Sequence, residues 1–156
     1  MPSFSDFEAA APDLARAVKA RLETRTHHTL ATLRRDGAPR ISGTECRFAQ
    51  GELWIGSMWQ ALKARDLLRD PRYALHAGTD DPPGWTGDAK VAGLAHAVTD
   101  LQLIEELNGE AANDGESHLF RLEIAEASMV QVDEAAKLLH VDVWTPRDGV
   151  RRLTRT

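Results

Sequence analysis

Between His28 and Ser57 the chain carries three β-prone runs joined by turns too short to hold a crossover helix. Thr29-Leu30-Ala31-Thr32-Leu33-Arg34 is the first run, Asp36-Gly37 is a strong hairpin signal, and Pro39 to Phe48 follows as a long second strand. Gln50-Gly51 turns the chain again, and Glu52 to Ser57 forms the third strand. Parallel neighbours need connections of about a dozen residues or more, so these strands pair antiparallel, as a meander. Gly43, in the middle of the second strand, marks either a bulge or a place where something comes close to the backbone.

The rest of the chain adds helices and further strands to this meander. Phe4 to Ala11 reads as a short turn of helix. Pro12-Asp13 then starts a clear helix that runs to about Thr24, with Leu14, Val18 and Leu22 as a narrow apolar stripe. A helix from about Trp59 to Arg69 has Leu62, Leu67 and Leu68 for burial and is stopped at Asp70-Pro71. Arg72 to Ala77 and Ala89 to Thr99 are the fourth and fifth strands, with Lys90 and Asp88 on one face and Val91 on the other. The Gly- and Pro-rich loop between them carries Trp85, which either covers a flat ligand or anchors the loop to the body. Leu101 to about Ala112 is a helix ended by Asn113-Asp114-Gly115, and His118 to Val130 alternates as a sixth strand. Leu138 to Trp144 is a seventh, after a turn near Asp133-Glu134, and the basic tail from Pro146 offers a last short edge strand. Such a pattern predicts a mainly β, α+β chain: a six- to seven-stranded antiparallel barrel with flanking helices.

A chain of 156 residues suits one domain over 1–156, with a helical cover (1–27), a barrel core (28–99) and a closing helix and strands (100–156). Cys46 is the single cysteine, so there is no disulfide framework and no zinc-type cysteine cluster; its expected place is a quiet strand position rather than a nucleophile's. The amino terminus lacks the basic and apolar regions of a signal peptide, and no run approaches the roughly 20 apolar residues of a membrane span. The expectation is a cytoplasmic protein with no membrane partner. The formal net charge of −5 argues against a general nucleic-acid binder, which needs a basic face.

The unit from Glu52 to His76 reads as strand, Gly56-Ser57 turn, helix, Asp-Pro break and strand, and it is where binding chemistry gathers. Small residues let a ligand approach the backbone, and the helix behind the turn carries Lys63 in its first turn. Helix amides plus one ammonium suit a phosphate. Only four of the basic residues are lysines, and two of these, Lys63 and Lys90, lie beside loops where they are expected to face a pocket. Gly-rich nucleotide fingerprints are absent, the six histidines do not fall at metal spacings, and Ser57 lacks a nucleophile elbow. His27-His28 is expected to be a solvated strand edge rather than a ligand pair. No catalytic residue stands out, so any chemistry has to come from a cofactor.

The runs Leu30-Ala31-Thr32-Leu33-Arg34-Arg35-Asp36-Gly37-Ala38-Pro39-Arg40, Leu53-Trp54-Ile55-Gly56-Ser57, Lys63-Ala64-Arg65-Asp66-Leu67 to Asp70-Pro71-Arg72, and Val91-Ala92-Gly93-Leu94-Ala95 together resemble the pyridoxamine 5′-phosphate oxidase-like, flavin-binding split-barrel family. The resemblance covers roughly Thr29 to Thr99, about half of the chain. It implies a split barrel and a homodimer with equivalent cofactor sites at the subunit interface. It also implies that Arg40, Ser42, Gly43 and Thr44 run along the flavin ring, that Gly56 and Ser57 follow at the end of the third strand, and that Lys63 holds the phosphate; Lys90 joins this set. Members that oxidise vitamin B6 have an Arg where this chain has Leu62, a substrate lysine where it has Glu45, and a carboxy-terminal motif not recognisable here.

The activity this resemblance implies is that of an FMN-dependent, or deazaflavin-dependent, oxidoreductase acting on a small molecule. The alternatives are a flavin- or haem-binding module without turnover, with His76, His96 or His140 as candidate haem ligands, and a binder of B6 vitamers.

Overall fold

The computed structural model describes residues 2–109 and 117–156. Its elements are α1 (Phe4–Ala10), α2 (Pro12–Thr24), β1 (His28–Leu33), β2 (Pro39–Thr44), β3 (Cys46–Ala49), β4 (Glu52–Met58), α3 (Leu62–Arg69), β5 (Arg72–His76), β6 (Asp88–Ala97), α4 (Leu101–Asn108), β7 (Ser117–Leu122), β8 (Glu126–Asp133), β9 (Leu138–Thr145) and β10 (Gly149–Arg155). Every strand pairing is antiparallel. The strands run β10-β9-β8-β6-β5-β1-β2, with β7, β4 and β3 branching from β6, and the sheet curls into a split barrel.

Among the described residues ten strands replace the six or seven expected, because two runs read as single strands are broken and the basic tail forms its edge strand as β10. The second strand breaks at Glu45. Before it, β2 pairs with β1, Gly43 opposite Thr29; after it, β3 pairs with β4, Cys46 opposite Ile55. The chain thus leaves one half of the barrel for the other, and β2 keeps a free edge. Gly43 sits in unbroken register, so it is no bulge. The sixth strand breaks at Glu123–Ala125. Both β7 and β8 lie along β6, at Ala95–Ala97 and Asp88–Ala92, and the kink between them turns β7 towards β4.

Local signals explain the helical cover. Ser3 and Asp6 form a capping box on α1, and Pro12 opens α2. Phe7, Leu14, Val18 and Leu22 pack under the barrel with Leu30, Leu75, Val91, Phe120 and Trp144; Phe7 meets Trp144 at 4.7 Å between ring centroids. Burying a phenylalanine such as Phe7, which is fully covered, contributes about 2–3 kcal/mol.

Three expectations need correction. Leu62 and Leu68 are exposed, at 55% and 52%; of the three leucines expected to be buried only Leu67 is, and α3 buries Ala64 and Asp66 beside it. That helix begins at Leu62 rather than Trp59 because Gln60 takes a positive φ of 59°, which breaks the helical path. His28 is buried rather than a solvated edge: its Nδ1 accepts the Gly78 amide over 2.9 Å. The α4 helix ends at Asn108, with Gly109 at a φ of 68°, and the expected continuation and its Asn113-Asp114-Gly115 stop lie outside the described residues. Among the described residues no helix is long and apolar enough to cross a membrane.

Candidate functional site

The break at Glu45 opens a cavity of about 540 Å³ between the free end of β2, the end of β4, the start of α3 and the α4–β7 wall. Gly43, Thr44, Gly56, Ser57 and Lys63, all expected at a site, line it together. Its far wall is Trp54, Met58, Trp59, Asn108 and Leu119, and its rim carries His27, Glu45, Cys46 and Arg47.

The Lys63 ammonium donates to the Gly43 carbonyl over 2.8 Å. Burial lowers its pKa, and the Glu45 carboxylate opposes that shift. An ammonium has three donors, so Lys63 keeps donors for a ligand. The first turn of α3, which carries Lys63, has no side-chain cap and no acid, so its first amides are left without a side-chain partner. At Gly43 an added Cβ would meet nothing within 4 Å; at Gly56 it would come within 2.5 Å of Asn108 Oδ1. Asn108 is itself held, donating to Ser117 Oγ at 2.8 Å and to the His118 carbonyl at 3.1 Å. Trp59 stacks on His118 with centroids 4.6 Å apart, and His118 Nε2 accepts the Gln60 amide over 3.2 Å, which fixes the wall.

Three expected site residues do not line the cavity. Arg40 points inward from β2, and its Nε donates to Asp66 Oδ2 over 2.6 Å. Thr32 donates to the same oxygen at 2.9 Å, and Arg69 donates to Oδ1 at 3.0 Å. Asp66 is 3% exposed; burial alone would raise its pKa, but the hydrogen bonds from Arg40, Arg69 and Thr32 outweigh burial and hold it low. Arg40 therefore ties the strand to the helix that carries Lys63. Ser42 shares the inward face of β2 with Arg40 and Thr44. Lys90 lies on the outer sheet face, in the row Gly43–Thr29–His76–Lys90, three strand spacings (roughly 14 Å) from Gly43.

The remaining candidates stay outside the binding chemistry. Cys46 lines the cavity, but burial pushes its thiol up to about 12, so it stays protonated at neutral pH. Trp85 donates to Asp88 Oδ1 over 2.9 Å and does not line the cavity, so it anchors its loop. His76 contacts the Ala77 carbonyl, His96 is paired with Glu123 at 2.9 Å, and His140 meets Thr154 Oγ1; none of the three lines the cavity. Among the described residues no group of three metal-ligating side chains comes together.

The sequence reading missed His27, Glu45, Arg47, Trp59, Asn108 and Ser117 as lining residues. They come from segments far apart in the chain, and only the break at Glu45 and the return of β7 beside β4 bring them together.

The fold and the cleft define an antiparallel split barrel with a ligand-sized cavity; pockets for small molecules and cofactors run at about 300–1,000 Å³. Residues 14–131 match the family model described as pyridoxamine 5′-phosphate oxidase, and the chain belongs to that family. Among the curated proteins, none matches the sequence significantly. Solved structures share the fold. One is a pyridoxamine 5′-phosphate oxidase-related, FMN-binding protein from Nostoc punctiforme, with TM-score 0.64 and 11% identity over 90% of this chain and 94% of that one. Another is PhzG from Burkholderia lata in complex with tetrahydrophenazine-1-carboxylic acid, with TM-score 0.64 and 13% identity over 96% of this chain and 91% of that one. A third, from Clostridium acetobutylicum, is related to general stress protein 26; its TM-score is 0.60, with 11% identity over 90% of this chain and 92% of that one.

Proposed function

We propose that the cavity binds FMN, or a deazaflavin in its place, and that the protein is a flavin-type oxidoreductase acting on a small molecule. The observation that carries this is the Lys63 corner, where a half-buried ammonium and an open glycine edge meet in a cavity of flavin size, on a helix start with no side-chain cap. Family membership supports it, as does the FMN-binding neighbour of like fold. Lys63 and the α3 amides hold the phosphate, Gly43, Thr44, Gly56 and Ser57 bound the ring, and Arg40 acts from behind by fixing β2 against α3 through Asp66. When bound, the flavin ring supplies hydride or electron transfer, and the protein binds, orients and excludes water.

The working unit in this reading is a homodimer joined through the outer sheet face. That face carries Ile41, Ala31, Ala74 and Ala92 in one cross-strand row, where a sheet facing water would alternate to polar residues. Gly43, which lines the cavity, lies on this face, and this supports a site at the interface with Lys90 on the shared face.

Purified protein should carry the visible absorption of an oxidised flavin, with FMN or a deazaflavin identified by mass spectrometry. Lys63→Ala should weaken FMN binding by about 1–3 kcal/mol with little change in melting temperature. Unchanged affinity in that variant, or a haem Soret band in place of flavin absorption, overturns the reading.

A further inference from the structure

The α4–β7 wall of the cavity differs in chemistry from the rest of its lining. The lining residues that can carry charge at neutral pH are His27, Glu45, Arg47 and Lys63, and none of them belongs to that wall. In β7, Ser117 and Leu119 stand in register with Met58 and Gly56 of β4, and the last turn of α4 sets Asn108 against Gly56. Asn108 is fixed by its donors. Its amide nitrogen donates to Ser117 Oγ at 2.8 Å and to the His118 carbonyl at 3.1 Å. A carbonyl only accepts, so the nitrogen has to face that way and Oδ1 the other. Among the described residues Oδ1 accepts no hydrogen bond, and it stays open to solvent. Ser117 Oγ takes the amide hydrogen, and among the described residues its own hydrogen has no acceptor. The wall thus offers one fixed acceptor beside one free donor. Apolar surface frames the pair: Met58 is 80% exposed, and Trp59, half exposed, is held flat by its stack on His118.

We propose that this wall is the substrate's side of the site and takes an uncharged, flat lactam, a ring in which an N–H stands next to a C=O. The inference rests on the flavin reading above and deepens it by naming a substrate class. The lactam N–H donates to Asn108 Oδ1, its carbonyl accepts from the Ser117 hydroxyl, and the ring lies against Trp59 and Met58. A carboxylate or ammonium in the same place finds no counter-charge on the wall and still loses its water, a cost that an uncharged amide avoids. The fixed acceptor also discriminates. A ligand with oxygen in place of the N–H sets acceptor against acceptor and leaves Oδ1 covered and unpaired.

The test uses the FMN-loaded full-length protein and two probes of one shape. One is 2-quinolone, a lactam; the other is coumarin, the lactone with a ring oxygen where the lactam has its N–H. Binding is read from the shift of the flavin absorption band. Wild-type protein should hold 2-quinolone at least about tenfold tighter than coumarin. Asn108→Leu should bring the two affinities to within about twofold of each other. Ser117→Ala leaves Asn108 tied to the His118 carbonyl. It should weaken both probes by about three- to tenfold and keep their ratio, because both carry the carbonyl. Neither substitution should move FMN affinity by more than about twofold. Failure of both probes to bind, equal binding of the two by the wild type, or a ratio that survives Asn108→Leu overturns the proposal and leaves the flavin reading standing. FMN weakened about tenfold by Asn108→Leu overturns it as well, since the pair then reads the flavin ring's own N–H and carbonyl edge. Protein that takes up neither FMN nor a deazaflavin overturns the flavin reading, and the substrate assignment falls with it.

Discussion

Asp66 sends its carboxylate inward from α3, where three donors from three elements meet it: Thr32 on β1, Arg40 on β2 and Arg69 one turn along the helix. Removing one partner of a buried ion pair leaves an uncompensated charge, so Asp66→Asn should cost about 3 kcal/mol of stability, read by chemical denaturation. The wild type has a matching pH signature. The folded protein holds this carboxyl below its usual value, so its contribution is complete above about pH 4 and is lost as pH falls through the folded value. Asp66→Asn should therefore show a flatter loss of stability below about pH 4 than the wild type; parallel acid limbs would show that the network does not couple to folding. The sequence showed Arg40 and Lys63 as useful cations, but not that an acid between two leucine positions would be the inward residue of α3. Periodicity counts apolar residues, and here a charged one took the buried position because its hydrogen bonds were fully supplied.

Strands and turns were readable to the extent that their signals were local. Gln50-Gly51, with φ values of 53° and 75°, is the turn its residues predict, and α2 begins at Pro12 and ends at Thr24, where its own residues place the limits. The two strand breaks were not readable, since alternation continues through Glu45 and through Glu123–Ala125; what ends each strand is a change of partner. Gly93 marks the second break. A Cβ there would lie 2.1 Å from the Glu123 carbonyl oxygen, backbone that cannot swing away, at the point where the kink presses against β6. Gly93→Ala should destabilise the fold by about 2–4 kcal/mol. Gly43→Ala, with open space at its Cβ, should cost less than about 1 kcal/mol in stability and yet weaken flavin binding. Equal melting temperatures for the two variants would refute this division between a packing glycine and a site glycine.

At the level of the whole molecule, the outer sheet face connects the fold to the site. The apolar row ends at Glu126, opposite Ala92 on β8, and the far strands carry Val141 and Leu153, 53% exposed, opposite each other, with Arg151 opposite Val143; Ile41 at the other end is 74% exposed. A twofold dimer would present each of these residues twice, so a charge placed near the axis meets its own copy. Ala74 stands between Ala31 and Ala92 in the central row and is exposed in the protomer. Ala74→Arg leaves the protomer's interior untouched and adds two buried, like charges to the joined faces, a cost of several kcal/mol that an interface of ordinary size does not absorb. Sedimentation should show a dimer for the wild type and a monomer for Ala74→Arg, with flavin lost in the same step if both protomers bound the cavity. Arg16→Glu, on the exposed side of α2 and 76% exposed, should change neither assembly nor binding. A wild-type monomer that still holds flavin would detach the cavity from the sheet face and leave the site complete within one chain.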